Sequence, residues 1–352
     1  MAFAGVEMSI EIDPDAIRNA GKGLDKFVVP DLKKLNDRML AAYPITFPGF
    51  GLALLAVEGY YNEVCMYHAG NLKAGSAVAG AVADGLFKTA ENWQTAETVN
   101  ATGFMAPPGR SDTVSWTGGL GATSWATQGD LSKSSGAEAT TAIIEWGLLA
   151  ACEVVALGCA ALSPPFLVVP IVFSGLMANF TSIWETSRDI REIASDLGSP
   201  TIAQFHDITL GPNGAVSGWK DTSVQEFTRK VEEILAELDQ TKECLYLVAE
   251  FLTSLLEVLS ALWVAFIAFI PPFFAALSTL DATGVGVTVS AVLGAMATAG
   301  WTTVLAIVMG AIAGLVTLIS GFFGNLASLH MMDSGRDGVP DLQQIKIEWA
   351  ST

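Results

Sequence analysis

Polar and apolar residues are sorted into long blocks along this chain. No Lys or Arg occurs from Ser134 to Ser187 or from Glu243 to Gly335, and the 51 residues from Ala282 to Met332 contain no Asp, Glu, Lys or Arg. At about 20 residues per membrane crossing, that last run is long enough for two crossings. A buried central helix of a soluble bundle is the other reading of such a run. Its second part, Trp301 to Phe323, is apolar with aromatic residues at both ends, as expected where a helix meets two headgroup layers. Within it Ala306, Gly310 and Gly314 form a stripe of small residues, which lets two helices approach closely when lipid removes the hydrophobic drive to associate.

An earlier apolar block runs from Ala142 to Trp184 and reads as two helices about Ser163-Pro164-Pro165. Two adjacent prolines remove two backbone donors and restrict the residue before them, so Pro164 and Pro165 are expected at a hairpin tip. Pro271-Pro272-Phe273 repeats the signal after Val258 to Leu280 has begun a run of 23 uncharged residues, so Pro271 and Pro272 are expected at a second tip. Glu145, Glu153 and Glu257 stand on these apolar arms. Acids in such places face a bundle interior or a water path. If the helices lie only half in lipid, or in a soluble core, the acids must find donors instead.

The remainder is amphipathic. Asp13-Pro14-Asp15 is a helix start, with Pro in the first turn and acids at the positive end of the helix dipole. That helix should reach about Tyr43, kinked at Pro30, with Ile17, Leu24, Val28, Leu32, Leu35 and Leu40 on one stripe. Pro44, Pro48, Gly49 and Gly51 make a turn, and a second long helix follows from about Leu52 to Val99, giving a helical hairpin. The expected fold class is all-α: long helical hairpins or a bundle with two hydrophobic, transmembrane-like blocks. The expected division is 1–104, the helical hairpin; 105–138, a Gly/Ser/Thr-rich linker; 139–186, a hydrophobic hairpin; 187–244, a polar helical region; 245–332, a hydrophobic multi-helix block; and 333–352, a polar tail.

Charge narrows the function. Charged residues are 15% of the chain against about 25% in a soluble domain, and the formal net charge is −18. Nothing here would neutralise phosphates, so nucleic acid is not an expected partner. Cys65, Cys152, Cys159 and Cys244 form no C-x-x-C pair, and the opening MAFAGVEMSIEIDPD lacks the basic and apolar regions of a signal peptide. His68, His206 and His330 are scattered, with no H-E-x-x-H and no G-x-S-x-G. The chain is therefore read as a non-enzyme without a cofactor or metal.

The second helix closes with LFKTAENWQTAE, in which Leu86, Ala90, Trp93 and Glu97 fall at spacings of four, three and four. This resembles the substrates of type VII (ESX) secretion, helical hairpins whose second helix ends L-x-x-x-A-x-x-Y-x-x-x-D/E; Trp93 stands where the family has Tyr. The residues read equally as the end of an ordinary amphipathic helix. Trp219 and Phe227 are similar to the opening of that family's second helix, with Asp221 where Gly would be, and Tyr246 and Glu250 supply a second Y-x-x-x-E. The resemblance implies export without a cleaved signal, and a secretion chaperone or a small helical-hairpin partner. Together with the apolar blocks it gives the expected function: an exported helical protein that inserts into a lipid membrane, forms a homo-oligomer and opens a pore. The alternatives are a resident multi-pass membrane scaffold or channel component, and a soluble pore-forming bundle. The expected location is the membrane or cell envelope, or outside the cell.

Overall fold

A computed structural model describes residues 11–101, 174–220, 223–282 and 312–325, together with 302, 303, 306, 309, 310 and 342; within these, the side chains of Glu11, 96–101, Lys220 and 266–282 are not described. The fold is all-α, and among the described residues one two-residue antiparallel bridge joins β1 (Glu11–Ile12) to β2 (Trp219–Lys220).

Helix α1 (Pro14–Gly23) starts where the sequence expects it. Asp13 Oδ1 accepts from the backbone N–H of Asp15 at 3.0 Å and of Ala16 at 3.1 Å, satisfying two of the donors a helix start leaves open. A π-turn at Leu24–Val28 joins α1 to α2 (Val29–Ala42). It explains why Pro30 does not break the helix. The turn is widened just before the proline, and the N–H of Val29 bonds back five residues to Leu24, which relieves the clash a proline ring makes with the preceding turn. Ile17, Leu24, Val28, Leu32 and Leu35 are buried as the periodicity requires, but Met39 takes the next core position and Leu40 faces outward.

Helix α3 (Leu55–Ala101) returns antiparallel to α1 and α2: Ser76 Oγ donates to the Val29 carbonyl, and Tyr61 Oη to the Tyr43 carbonyl at 2.8 Å. Its 47 residues span about 70 Å at 1.5 Å per residue. The turn before it is held against the start of α4 (Phe180–Asp196): the Asn179 N–H donates to the Gly49 carbonyl, and Asn179 Nδ2 to Thr46 Oγ1 at 2.7 Å. Gly51 has φ +93°, and a Cβ there would lie 2.8 Å from the Met177 carbonyl oxygen, so this position needs glycine twice over. A π-turn (Leu197–Ile202), with Ser199 extended before Pro200, separates α4 from the short α5 (Ala203–Thr209).

Helix α6 (Ser223–Ala282) is 60 residues of unbroken helix, about 90 Å long. Two sequence expectations change here. The helix passes through Pro271 and Pro272 and continues to Ala282, so these prolines are not a hairpin tip. The two missing N–H donors cost hydrogen bonds without ending the helix. The boundary expected at 244/245 also falls inside α6, and that at 186/187 falls inside α4. Polar and apolar regions are therefore two halves of single helices. Pro164, Pro165, Glu145, Glu153 and the 105–138 linker lie outside the described residues.

Helix α7 (Ile312–Asn325) lies back along α6. Phe322 stacks on Phe251 at 4.2 Å, Phe323 meets Tyr60 edge-on at 4.6 Å, and a Cβ on Gly314 would sit 3.8 Å from Val258.

Candidate functional site

The contacts above give the bundle two chemically different ends. At one end are the start of α1, the close of α3, β2 and the start of α6. Arg18 Nη2 donates to Gln94 Oε1 at 2.6 Å, and the Asp13 N–H donates to the Gly218 carbonyl at 2.7 Å. At the other end are the 44–51 turn, the start of α3, the later part of α6, and α7.

The residues singled out for their resemblance to secretion substrates do not form one surface. Leu86 and Ala90 are fully buried core residues of the α1–α3 seam, so no partner reads them from outside. Trp93 is half-buried at the close of α3, and the side chain of Glu97 is outside the described set. Trp219 is buried against Phe227, ring centroids 5.3 Å apart, where β2 pins β1; its Nε1 has no hydrogen-bond partner. It is a packing residue between the chain's start and α6. Tyr246 and Glu250 are exposed on one stripe of α6.

That stripe is the informative feature. The outward positions of α6 recur at spacings of three, four and seven: Arg229, Glu232, Ala236, Asp239, Glu243, Tyr246, Glu250, Glu257, Ala261 and Val264. An outward stripe on a soluble bundle should stay polar throughout. Here its charged members, Arg229, Glu232, Asp239, Glu243, Glu250 and Glu257, end at Glu257, and the two described members beyond it, Ala261 and Val264, are apolar, with Val264 67% exposed. At the same end of the bundle Met309, Ile312 and Val316 are exposed on and just before α7, as are Phe47 on the 44–51 turn, Leu52 just after it and Leu55 at the start of α3. Glu257 is thus an exposed acid at the edge of the apolar end, not one turned into a bundle interior.

The underside of the same region is hydrogen-bonded to α4 and to the segment before it. Ser187 Oγ lies 2.8 Å from both the Ala249 carbonyl and Thr253 Oγ1, and Trp263 Nε1 donates to the Leu176 carbonyl at 3.3 Å. These contacts run α4 antiparallel to α6 and bring Trp184 near the level of Glu257. Trp184 is 52% exposed, with the Arg188 guanidinium 5.2 Å from its ring centroid. An exposed Trp beside an Arg, where a charged surface gives way to an apolar one, is the side-chain pairing found at headgroup level.

Ala306 and Gly310 are exposed, and a Cβ on Gly310 would meet nothing within 4 Å. Their small-residue stripe is unused within the described chain except at Gly314. Among the described residues no group of three His, Cys, Asp or Glu gathers to hold a metal.

Fold and surface together define an all-α protein with one described helix, α6, that is long and apolar enough over Ser223–Ala265 to cross a membrane. No protein-family model, curated protein or solved structure matches the chain.

Proposed function

We propose that this protein is a membrane-inserting helical bundle, exported by the type VII route, whose apolar end enters lipid and whose polar end stays in water. The observation that carries this reading is the change in the outward stripe of α6 from charged to apolar at Glu257, matched by exposed apolar residues on α7. Each aliphatic side chain moved fully from water into lipid contributes about 1.5–3 kcal/mol. The backbone there is helical, so its polar groups need no water. Oligomerisation through the stripe of Ala306, Gly310 and Gly314 then supplies the close helix contacts that lipid-facing apolar residues cannot.

Flotation of the full chain with phosphatidylcholine vesicles tests this reading. The protein is expected to float with neutral vesicles, and to do so equally at low and high salt, because a net charge of −18 gives it no attraction for headgroups. Val264→Lys with Val316→Lys should leave helix content unchanged, since both sites are exposed, and abolish flotation, because a lysine at mid-bilayer costs about 2.5–3.5 kcal/mol. Unchanged flotation of the double variant removes the apolar end as the inserting element.

A further inference from the structure

His68 is 2% exposed, and neither of its ring nitrogens has a hydrogen-bond partner. Its ring meets that of Tyr67 edge-on at 5.2 Å. Tyr61, His68 and Gly75 fall seven residues apart, so they share one stripe of α3. The flanking members fix what that stripe faces. A Cβ on Gly75 would lie 3.1 Å from Leu238 of α6 and 3.8 Å from Leu32 of α2. The ring of Tyr61 is 5.3 Å from Phe50, which in turn lies 6.2 Å from Phe251 of α6. His68 therefore sits midway along the seam where α3 meets both α2 and α6.

We propose that His68 is an acid-sensitive latch: its protonation loosens α3 from α6 and α2 and so releases the apolar end. The consequence for membranes rests on the insertion reading above; the opening itself does not.

A neutral imidazole is already an awkward occupant of this seam, with a donor and an acceptor both unmet. Protonation adds a second unmet donor and a charge. The surrounding groups offer that charge no partner. On α3, Cys65 and Tyr61 are buried, and burial holds their protons on, pushing the Cys65 thiol up to about 12. On α6 the buried Cys244 falls midway between Leu238 and Phe251, level with His68, while Glu237, also buried and already engaged, stands beside Leu238 at the level of Gly75. On α2, Lys33 and Asp37 are exposed at the rim, and Arg38 is paired with Asp196 and Glu192. With burial as its cause and no compensating charge, the imidazole is pushed down to about 4 from its ordinary 6.5. A group depressed in the closed state and ordinary in the open one favours closure fully above pH 6.5. It gives that contribution up as pH falls from 6.5 towards 4. Of the other histidines, His206 is exposed beside Asp207, and His330 is outside the described residues.

Urea unfolding of the full chain at pH 7.5, 6 and 5 tests the latch. The unfolded-to-folded ratio, whose unfolded state has α3 parted from α6 and α2, should rise about 4-fold at pH 6 and about 30-fold at pH 5 relative to pH 7.5. It should be flat over the same range in His68→Phe and His68→Leu. A flat wild type, or variants with the wild-type slope, overturns the proposal. If neither variant folds, titration of the His68 ring by NMR in the wild-type protein decides: a midpoint near 6.5 in the closed state overturns it, and one well below supports it. Phosphatidylcholine vesicles at pH 7.5 and 5 separate the two readings. Acid-dependent opening in urea without vesicle binding at either pH keeps the latch and removes membrane insertion. Vesicle binding equal at both pH values keeps insertion and overturns release by the latch.

Discussion

Leu86 and Trp93 are seven residues apart on α3, yet they have different surroundings. Leu86 is fully buried where α3 packs on α1; a Cβ on Gly21 of α1 would lie 3.2 Å from the Ala83 carbonyl one turn earlier. Trp93 lies beyond the last tightly packed turn and keeps part of its surface in water. Leu86→Ala should therefore lower unfolding stability by about 2–5 kcal/mol, the range for a large core truncation, measured as a shift in the urea midpoint at constant slope. Trp93→Ala with Glu97→Ala should cost less than this and leave helix content intact, while abolishing appearance of the protein in the medium of a type VII-competent host. Secretion of the double variant at the wild-type level would remove Trp93 and Glu97 as an export signal. Spacing alone could not separate these roles, because buried and exposed members of the pattern occur at the same helical intervals.

At the scale of elements, the N-terminal hairpin was legible almost to the residue. The helix start at Asp13-Pro14-Asp15, the turn after Tyr43 and the long return helix all follow from local chemistry, which acts within a few residues. The accommodation of Pro30 was not legible, because a π-turn depends on how the preceding carbonyls can shift, not on residue type. Pro271 and Pro272 misled for the reverse reason. A proline pair weakens a helix locally, but whether the helix ends is decided by what surrounds it, and α6 runs on to Ala282. The division into polar and apolar regions failed likewise, since a composition boundary at Leu245 need not be a structural one. The small-residue stripe gives a prediction at this scale. Gly310→Leu with Gly314→Leu should leave the bundle folded: Gly310 has open space, and Gly314 has only the Val258 methyl at 3.8 Å, a flexible neighbour. It should also collapse the cross-linking ladder of the detergent-solubilised protein to monomer, because bulk at both positions keeps helices apart. An unaltered ladder would place the oligomer contact elsewhere.

For the whole molecule, the sequence showed that charge is segregated but not that the segregation runs along one continuous helix. α6 carries the charged stripe and the apolar stripe on the same rigid body, so insertion of one end need not unfold the other. This fixes an orientation that can be measured. In a background with Cys152 and Cys159 replaced, Val264→Cys and Asp239→Cys can each be offered a membrane-impermeant thiol reagent; the native Cys65 and Cys244 are buried and should react slowly. The two introduced positions are 25 residues apart on α6, about 38 Å at 1.5 Å per residue, more than the roughly 30 Å thickness of a hydrocarbon core. Both should label in solution, where both are exposed. With neutral vesicles present, position 264 should become protected and position 239 should stay reactive, because the charged stripe from Asp239 to Glu257 cannot enter lipid without losing the hydration of four carboxylates. Protection of both would mean that the bundle is engulfed or aggregated, and protection of neither would mean that the apolar end stays in water. Only the graded outcome agrees with a helix that enters lipid from one end and stops at its last exposed acid.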